Sequence, residues 1–339
     1  MDWSKGFSAL YELKRVDPAS WMDVESLEFT AGAIHKSSDT QLIESADLTL
    51  TDRIGECWVR VYLKARQESG GARSPVFTGL AIAPRRERDG RRSSYKTECY
   101  SVLKPAEDTL TPRGYYAPAG APAAQLAASL LGVGPAPVEY EADGPTLTDA
   151  IVSEDSDTNL SMAVQIIEAI GWRIRITGSG RIQLLPQATE PTIRFDPLGA
   201  DSIELKVTDE DDWFSCPNVF RAVSGSAYAE AWDDDPDSSL SVSARKANRG
   251  GTGEIWAQDT SVSLGDQESL AEYARRRLKA EQSHARSIEY ARRFYPDLTV
   301  TDLVALRYPE IGVDGTFRIT EQDITLGHGA KTGEKVVSI

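Results

Sequence analysis

Between residues 161 and 186 the hydrophobic pattern changes period. Ala163, Val164, Ile167 and Ile170 recur at helical spacing, and Gly171 follows where a left-handed cap ends a helix. Trp172, Ile174 and Ile176 then alternate with Arg173, Arg175 and Thr177, which predicts a strand with the two arginines on its solvent side. Gly178, Ser179 and Gly180 turn the chain back through Ile182 and Leu184, completing a hairpin. The GSGR run leads into a strand rather than a helix, so it lacks the anion site of a phosphate loop. Helix, stop and hairpin carry no histidine, cysteine or carboxylate pair placed for chemistry.

Residues 1–104 read as antiparallel strands. Cys57, Val59, Val61 and Leu63 alternate with Trp58, Arg60, Tyr62 and Lys64, the pattern of a long strand with one buried face. Shorter alternations fall at 26–30 and 46–51, and strands at 75–83 and 93–103 flank Asp89 and Gly90, a hairpin signal. From 105 to about 144 the composition shifts to Pro, Ala and Gly, with a short helix, AAQLAASLL, between Pro122 and Gly132. With the hairpin, 105–190 reads as a small α/β insertion. Strands resume at 202–207 and 218–225, separated by the acidic turn TDEDDWFSCP and followed by a second, WDDDPDSS. Residues 267–282 predict one long charged helix with Asp266 as N-cap and Leu270, Ala274 and Leu278 inward. On its solvated face Glu272 stands four residues before Arg276, and Arg277 four before Glu281. Strands at 287–295 and 300–309 and a closing pair within 315–327 complete a second β-rich part.

Length and charge narrow the function classes. A chain of 339 residues calls for two or three domains, and a net charge of -15, from 52 acidic against 37 basic residues, argues against a grip on nucleic acid. The start has no basic segment followed by an apolar one, and no apolar run reaches the roughly 18 residues of a membrane span, so no leader and no membrane anchor are expected. Cys57, Cys99 and Cys216 have no CxxC spacing, and His35, His284 and His328 lie far apart, so no metal and no cofactor are expected. The WDDDPDSS turn has Ala244 where a calcium loop needs a bidentate Glu, which favours a solvated turn. Ser224 lacks the GxSxG pattern, and no nucleophile is placed beside a base, so an enzyme is not expected. Two other readings stay open: a carbohydrate- or receptor-binding β protein using Tyr115, Tyr116 and Trp172, and a polysaccharide-degrading enzyme using a carboxylate pair.

In order along the chain stand ESADLTLTD, VRVYLKAR, VFTGLAIAPRRERDGRRSSYKTECYSVL and NLSMAVQIIEAIGWRIRITGSGRIQLLP, then CPNVFRAVSG, SLAEYARRRLKAEQ and LTVTDLVALRYPEIGVDGTFRITEQDITL. This layout resembles the tail-hub proteins of bacteriophages, which include the late control protein D family and the baseplate hubs of long-tailed phages. The resemblance covers most of the chain and rests on order and spacing rather than on any one motif. It implies a β-rich α+β fold of two tail-tube-like antiparallel β-barrels with a small α/β insertion. Residues 1–104 would form the first barrel, completed by strands in 191–215. Residues 105–190 would be the insertion, and 191–339 the second barrel with its helix near 267–282.

The implied function is that of a structural virion protein, a minor tail protein and baseplate hub at the tail tip, assembled in the bacterial host cytoplasm. A homotrimer would present six similar barrels to a sixfold tail tube and so adapt it to a threefold tip. The implied partners are a hexameric distal tail or tube protein, the tape-measure protein C-terminus, and tip or receptor-binding proteins. DNA would pass through without specific binding during ejection. An acidic bore suits that passage because carboxylates repel phosphate, and Asp209, Glu210, Asp211, Asp212, Asp233, Asp234 and Asp235 are the candidate lumen or loop residues.

Overall fold

Alternation in the first hundred residues becomes seven strands: β1 (Ser8–Val16), β2 (Asp23–Leu27), β3 (Phe29–Ser37), β4 (Glu44–Leu50), β5 (Cys57–Gln67), β6 (Gly70–Asp89) and β7 (Arg92–Ser101). The computed structural model describes residues 1–89, 92–196, 203–211, 213–264, 268–283, 285–327 and 330–339. The expected 89–90 hairpin joins β6 to β7, which pair Asp89 with Arg92, while Gly90 itself lies outside the described residues. Next come α1 (Lys104–Asp108), β8 (Tyr116–Ala117), α2 (Ala123–Leu131), β9 (Val138–Tyr140), β10 (Ile151–Val152), α3 (Asn159–Ala169), β11 (Trp172–Ile176) and β12 (Ile182–Pro186). The remainder is β13 (Ile193–Phe195), β14 (Ile203–Asp211), β15 (Val219–Ser224), β16 (Ala227–Trp232), α4 (Val242–Arg249), β17 (Trp256–Asp259), α5 (Leu270–Ser283), β18 (Arg286–Arg293), β19 (Leu303–Tyr308), β20 (Val313–Thr325) and β21 (Lys331–Ser338).

One sheet runs β14-β18-β21-β20-β3-β4-β7-β6-β5-β1-β2, with β19 also on β20 and β13 on β19. β20 is the shared strand. Its first half pairs with β19, its second half with β3, and its other edge with β21. The closing pair expected within 315–327 is therefore this single strand, in whose middle Thr320 and Gln322 are buried and hydrogen-bonded. The strands of 191–215 do not complete the first half: β13 pairs with β19 and β14 with β18, both in the second. Nor is a closed barrel formed among the described residues. The path ends at β2 and β14, and the long β20 joins the two halves edge to edge.

Each half has its own core. Leu13, Leu48, Val59, Val61, Leu63 and Phe77 fill the first, and Ile288, Val304, Leu306, Phe317, Ile319 and Val336 the second. At the seam the Lys36 ammonium meets the buried Glu44 carboxylate at 3.0 Å and reaches Thr299 of the second half at 3.5 Å. Burial raises the Glu44 carboxyl above its ordinary range.

Helices α1, α2 and α3 and the β11-β12-β9 sheet build an α/β unit, unit one. Thr158 and Ser161 cap α3 reciprocally, and Gly171 takes φ +66° to end it. Its buried face is Met162, Ala163, Ile166, Ile167 and Ala169; Val164 and Ile170 are only half-buried, so the apolar stripe is rotated from the one read in the sequence. Unit one shares a core with Trp58, Val102 and Leu103, so β5 is covered on both faces over its first part, and not on one as its alternation suggests. A second α/β unit, not foreseen, interrupts the second half. Its sheet runs β16-β15-β17, and Phe220, Ala222 and Ala231 pack on Ala274 and Leu278 of α5.

The long helix belongs to this unit and not to a barrel. Asp266 and Gln267 lie outside the described residues, and the cap that is seen is Ser269, whose hydroxyl accepts from Glu272 N while Glu272 accepts from Ser269 N at 2.8 Å. Glu272 is thereby occupied, and Arg276 pairs instead with Glu268 at 2.8 Å; Arg277 does meet Glu281, at 3.3 Å.

Candidate assembly site

The hairpin β11-β12 lies across both halves of the sheet and is fastened to each. At its tip, Ser179 O accepts from Trp21 Nε1 at 3.2 Å and from an Arg60 guanidinium nitrogen at 3.1 Å, and Gly178 O accepts from Thr78 Oγ1 at 2.9 Å. A Cβ on residue 178 would stand 2.1 Å from Pro75 O, so the glycine is needed for close approach to the first half and not for binding phosphate. Arg60 is itself buried and also bonds Asp23 at 2.9 Å and Thr78 at 3.0 Å.

At its base the same hairpin holds the second half. Arg173 donates to Asp302 Oδ1 at 3.0 Å and to Thr301 O at 2.6 Å; Arg175 reaches Asp302 Oδ2 at 3.1 Å and Asp297 O at 2.5 Å. The two arginines, read as solvent-facing, are 11% and 14% exposed at their side chains, and Asp302 5%. The correction has a simple cause: the outer face of β11 is the face laid against the sheet. Asp297 and Thr301 take left-handed backbone angles, φ 60° and 72°, which cost energy in residues with a Cβ. Those angles belong to the loop whose carbonyls receive the arginines.

The candidate acidic residues do not form one site. Asp209, Glu210 and Asp211 lie on β14, a strand, where a turn was expected; Asp212 lies outside the described residues. Charged side chains are tolerated there because β14 is an edge strand. Asp209 pairs with Arg286 at 2.9 and 2.7 Å, which lowers its carboxyl below the usual range. Asp233, Asp234 and Asp235 do form a turn after β16, in which Asp233 accepts from Ser238 Oγ at 2.7 Å and Gln282 Nε2 at 2.9 Å. Among the described residues no three His, Cys, Asp or Glu side chains gather as a metal site. His284 and His328 lie outside them, and His35 bonds Asp323 at 2.7 Å. Cys57, Cys99 and Cys216 form no disulfide with one another, and burial raises the thiol of Cys99. An open cavity of about 180 Å³ beside β14 is lined by Glu204, Thr208 and Lys331 among others, and Glu204 already pairs with Lys331 at 3.0 Å. No described helix is long and apolar enough to cross a membrane.

The aromatic trio considered for a ligand face is mostly spent on packing. Tyr115 and Trp172 pack against the core of unit one, and only Tyr116 is exposed. Sequence reasoning missed a second set, Tyr228, Trp232 and Trp256, on the outer face of unit two. Their alternation with alanines along β16 and β17 was the available signal.

No protein-family model matches this sequence, and no curated protein matches it. Solved structures do. A tail protein from Neisseria meningitidis superposes with a TM-score of 0.70 at 13% identity, over 97% of this chain and 96% of that one. The 43 kDa tail protein of prophage MuSo2 from Shewanella oneidensis gives 0.66 at 14% identity, over 97% and 98%. A prophage tail protein from Listeria monocytogenes gives 0.56 at 12%, over 97% and 94%. This is a phage tail-protein fold. In that tail-protein fold the hairpin brace, its arginines and the shared strand β20 are the features that fix how one half stands against the other.

Proposed function

We propose that the chain is a structural protein of a phage tail, positioned at the tail tip as a baseplate hub. The observation that carries this reading is the likeness to tail proteins along nearly the whole length of both chains. Each sheet half serves as one tube-like barrel unit: residues 1–104 with the end of β20 in the first, and 191–339 in the second, with 105–190 as the inserted brace. Three copies form a ring, so that six similar units meet a sixfold distal tail or tube protein while the ring itself is threefold. The brace supports this arrangement, because a ring with two interfaces per chain closes only if the angle between the two units is fixed.

The ring is a conduit for ejected DNA, which slides past an acidic wall without being held. A net charge of -15 supports that, since repulsion of phosphate leaves the bore non-adhesive. The tape-measure protein C-terminus and tip or receptor-binding proteins are the remaining partners, and the protein reaches the virion by assembly in the host cytoplasm. It is not an enzyme, and no turnover of polysaccharide, peptidoglycan or ester is expected from it. Mass measurement in solution tests the oligomer: alone or with a ring-forming tail partner, the chain is expected at three times its 37.0 kDa. A reconstruction of the tail tip with six copies, or with copies away from the axis, would overturn the hub.

A further inference from the structure

The outer face of unit two has a built composition. With Phe220, Ala222, Ala231 and Ala257 turned towards α5, the strand registers put the alternate residues together on the opposite side. Val219 lies between Trp232 and Trp256, Arg221 between Glu230 and Gln258, and Val223 beside Tyr228. The two indoles meet edge to face with centroids 5.3 Å apart, yet stay 40% and 42% exposed, and Tyr228 is 69% exposed. Arg221 is held by Glu230 at 2.9 and 2.6 Å with its guanidinium 4.8 Å from the Trp256 ring centroid, so one cation already occupies an aromatic position here and is neutralised.

Around this face the charge is negative. Glu254 accepts from Trp256 Nε1 at 3.0 Å, and beyond Trp232 the chain enters the acidic turn, where Asp234, Asp235 and Asp237 are exposed. An aromatic centre with a carboxylate rim is complementary to lysine and arginine side chains, whose charge is attracted to indole faces and to the rim together. We propose that this face docks a basic segment of a partner protein, with Trp232 and Trp256 as its centre and Glu254, Asp234, Asp235 and Asp237 as its rim. A second copy of this chain is a poor occupant, since each carries -15. The proposal does not rest on the hub reading: it holds for a lone chain as for a ring.

The test uses the full chain titrated with a capped peptide of alternating Lys and Ala, and in parallel with its Glu counterpart, a neutral glucan oligosaccharide and zwitterionic lipid vesicles. Binding is followed by the indole N–H signals of the seven tryptophans. The Lys peptide is expected to move the Trp232 and Trp256 signals, and added salt to weaken it. Trp256→Ala is expected to weaken the peptide about tenfold, the equivalent of about 1.4 kcal/mol. Because that change removes part of the sheet surface, the rim gives a second arm: Glu254→Gln combined with Asp234→Asn and Asp235→Asn is expected to weaken binding severalfold with an unchanged melting temperature. Equal binding of the Glu peptide, shifts spread over the other tryptophans, or undiminished binding by the rim variant would overturn the proposal. A stronger response to the glucan or the vesicles would overturn it as well and give the face to that ligand.

Discussion

Units one and two are assembled from similar parts, a three-stranded sheet with helices on one side, and differ in what the other side of the sheet does. In unit one that side carries Arg173 and Arg175, both spent on Asp302 of the large sheet. In unit two it carries Tyr228, Trp232 and Trp256, all well exposed. Polar residues are thus buried and apolar ones exposed, the reverse of the ordinary rule. The difference teaches that the side-chain class on a strand face does not decide its use; what the face is laid against decides it. One unit is a brace within the chain, the other offers its surface outward.

The largest effect that would break this contrast is expected at Asp302. Asp302→Ala leaves two nearly buried arginines without their carboxylate and is expected to cost about 3–5 kcal/mol in denaturant unfolding. A loss near zero would mean that the brace does not hold. The hairpin turns sharpen the contrast further. Gly178→Ala forces a methyl against Pro75 O and is expected to cost about 1–3 kcal/mol by overpacking. In unit two Gly225 takes φ +58° with open space around it, so Gly225→Ala is expected to cost only about 1–2 kcal/mol of backbone strain. Thermal melts of the pair compare close approach with conformation alone.

On the exposed face of unit two, Tyr228→Ser is expected to change stability by no more than about 0.5 kcal/mol, checked by the same melts. The smallest effect is a pH dependence in unit one. Gln183 and then Arg181 hold the Glu139 carboxyl below its ordinary 4.5. Its folded pKa is lower than its unfolded one, so the stability it contributes is present above the unfolded value and is lost as the pH falls through the folded one. Glu139→Gln is expected to flatten that acid limb slightly, read as melting temperature against pH.

What was legible in the sequence was local. The end of α3 at Gly171, the turn at 178–180 and the stretch of α2 between Pro122 and Gly132 follow from neighbours within a few residues. What was not legible depended on distant partners. Arg173 and Arg175 read as surface because Asp302 is more than a hundred residues away. Residues 315–327 read as a pair of strands, but the Gln322 amide in their middle is buried against Glu334 at 2.7 Å and Leu298 O at 3.2 Å within one continuous strand. The acidic residues of 209–211 read as a loop, and only the pairing with β18 makes them a strand. For the candidate site, the glycines were seen and their purpose was not: Pro75 and Thr78, which they approach, cannot be identified from spacing.

Strand β20 also has a mechanical consequence. It is gripped along one edge by β21 and on the other by β19 and then β3, so a tension that draws the two halves apart along its axis loads many ladder hydrogen bonds side by side, in shear. Bonds loaded together must fail together, whereas a ladder peeled from its end fails one at a time. The two halves are therefore coupled like plates joined by a lap splice, stiff to a pull along that strand.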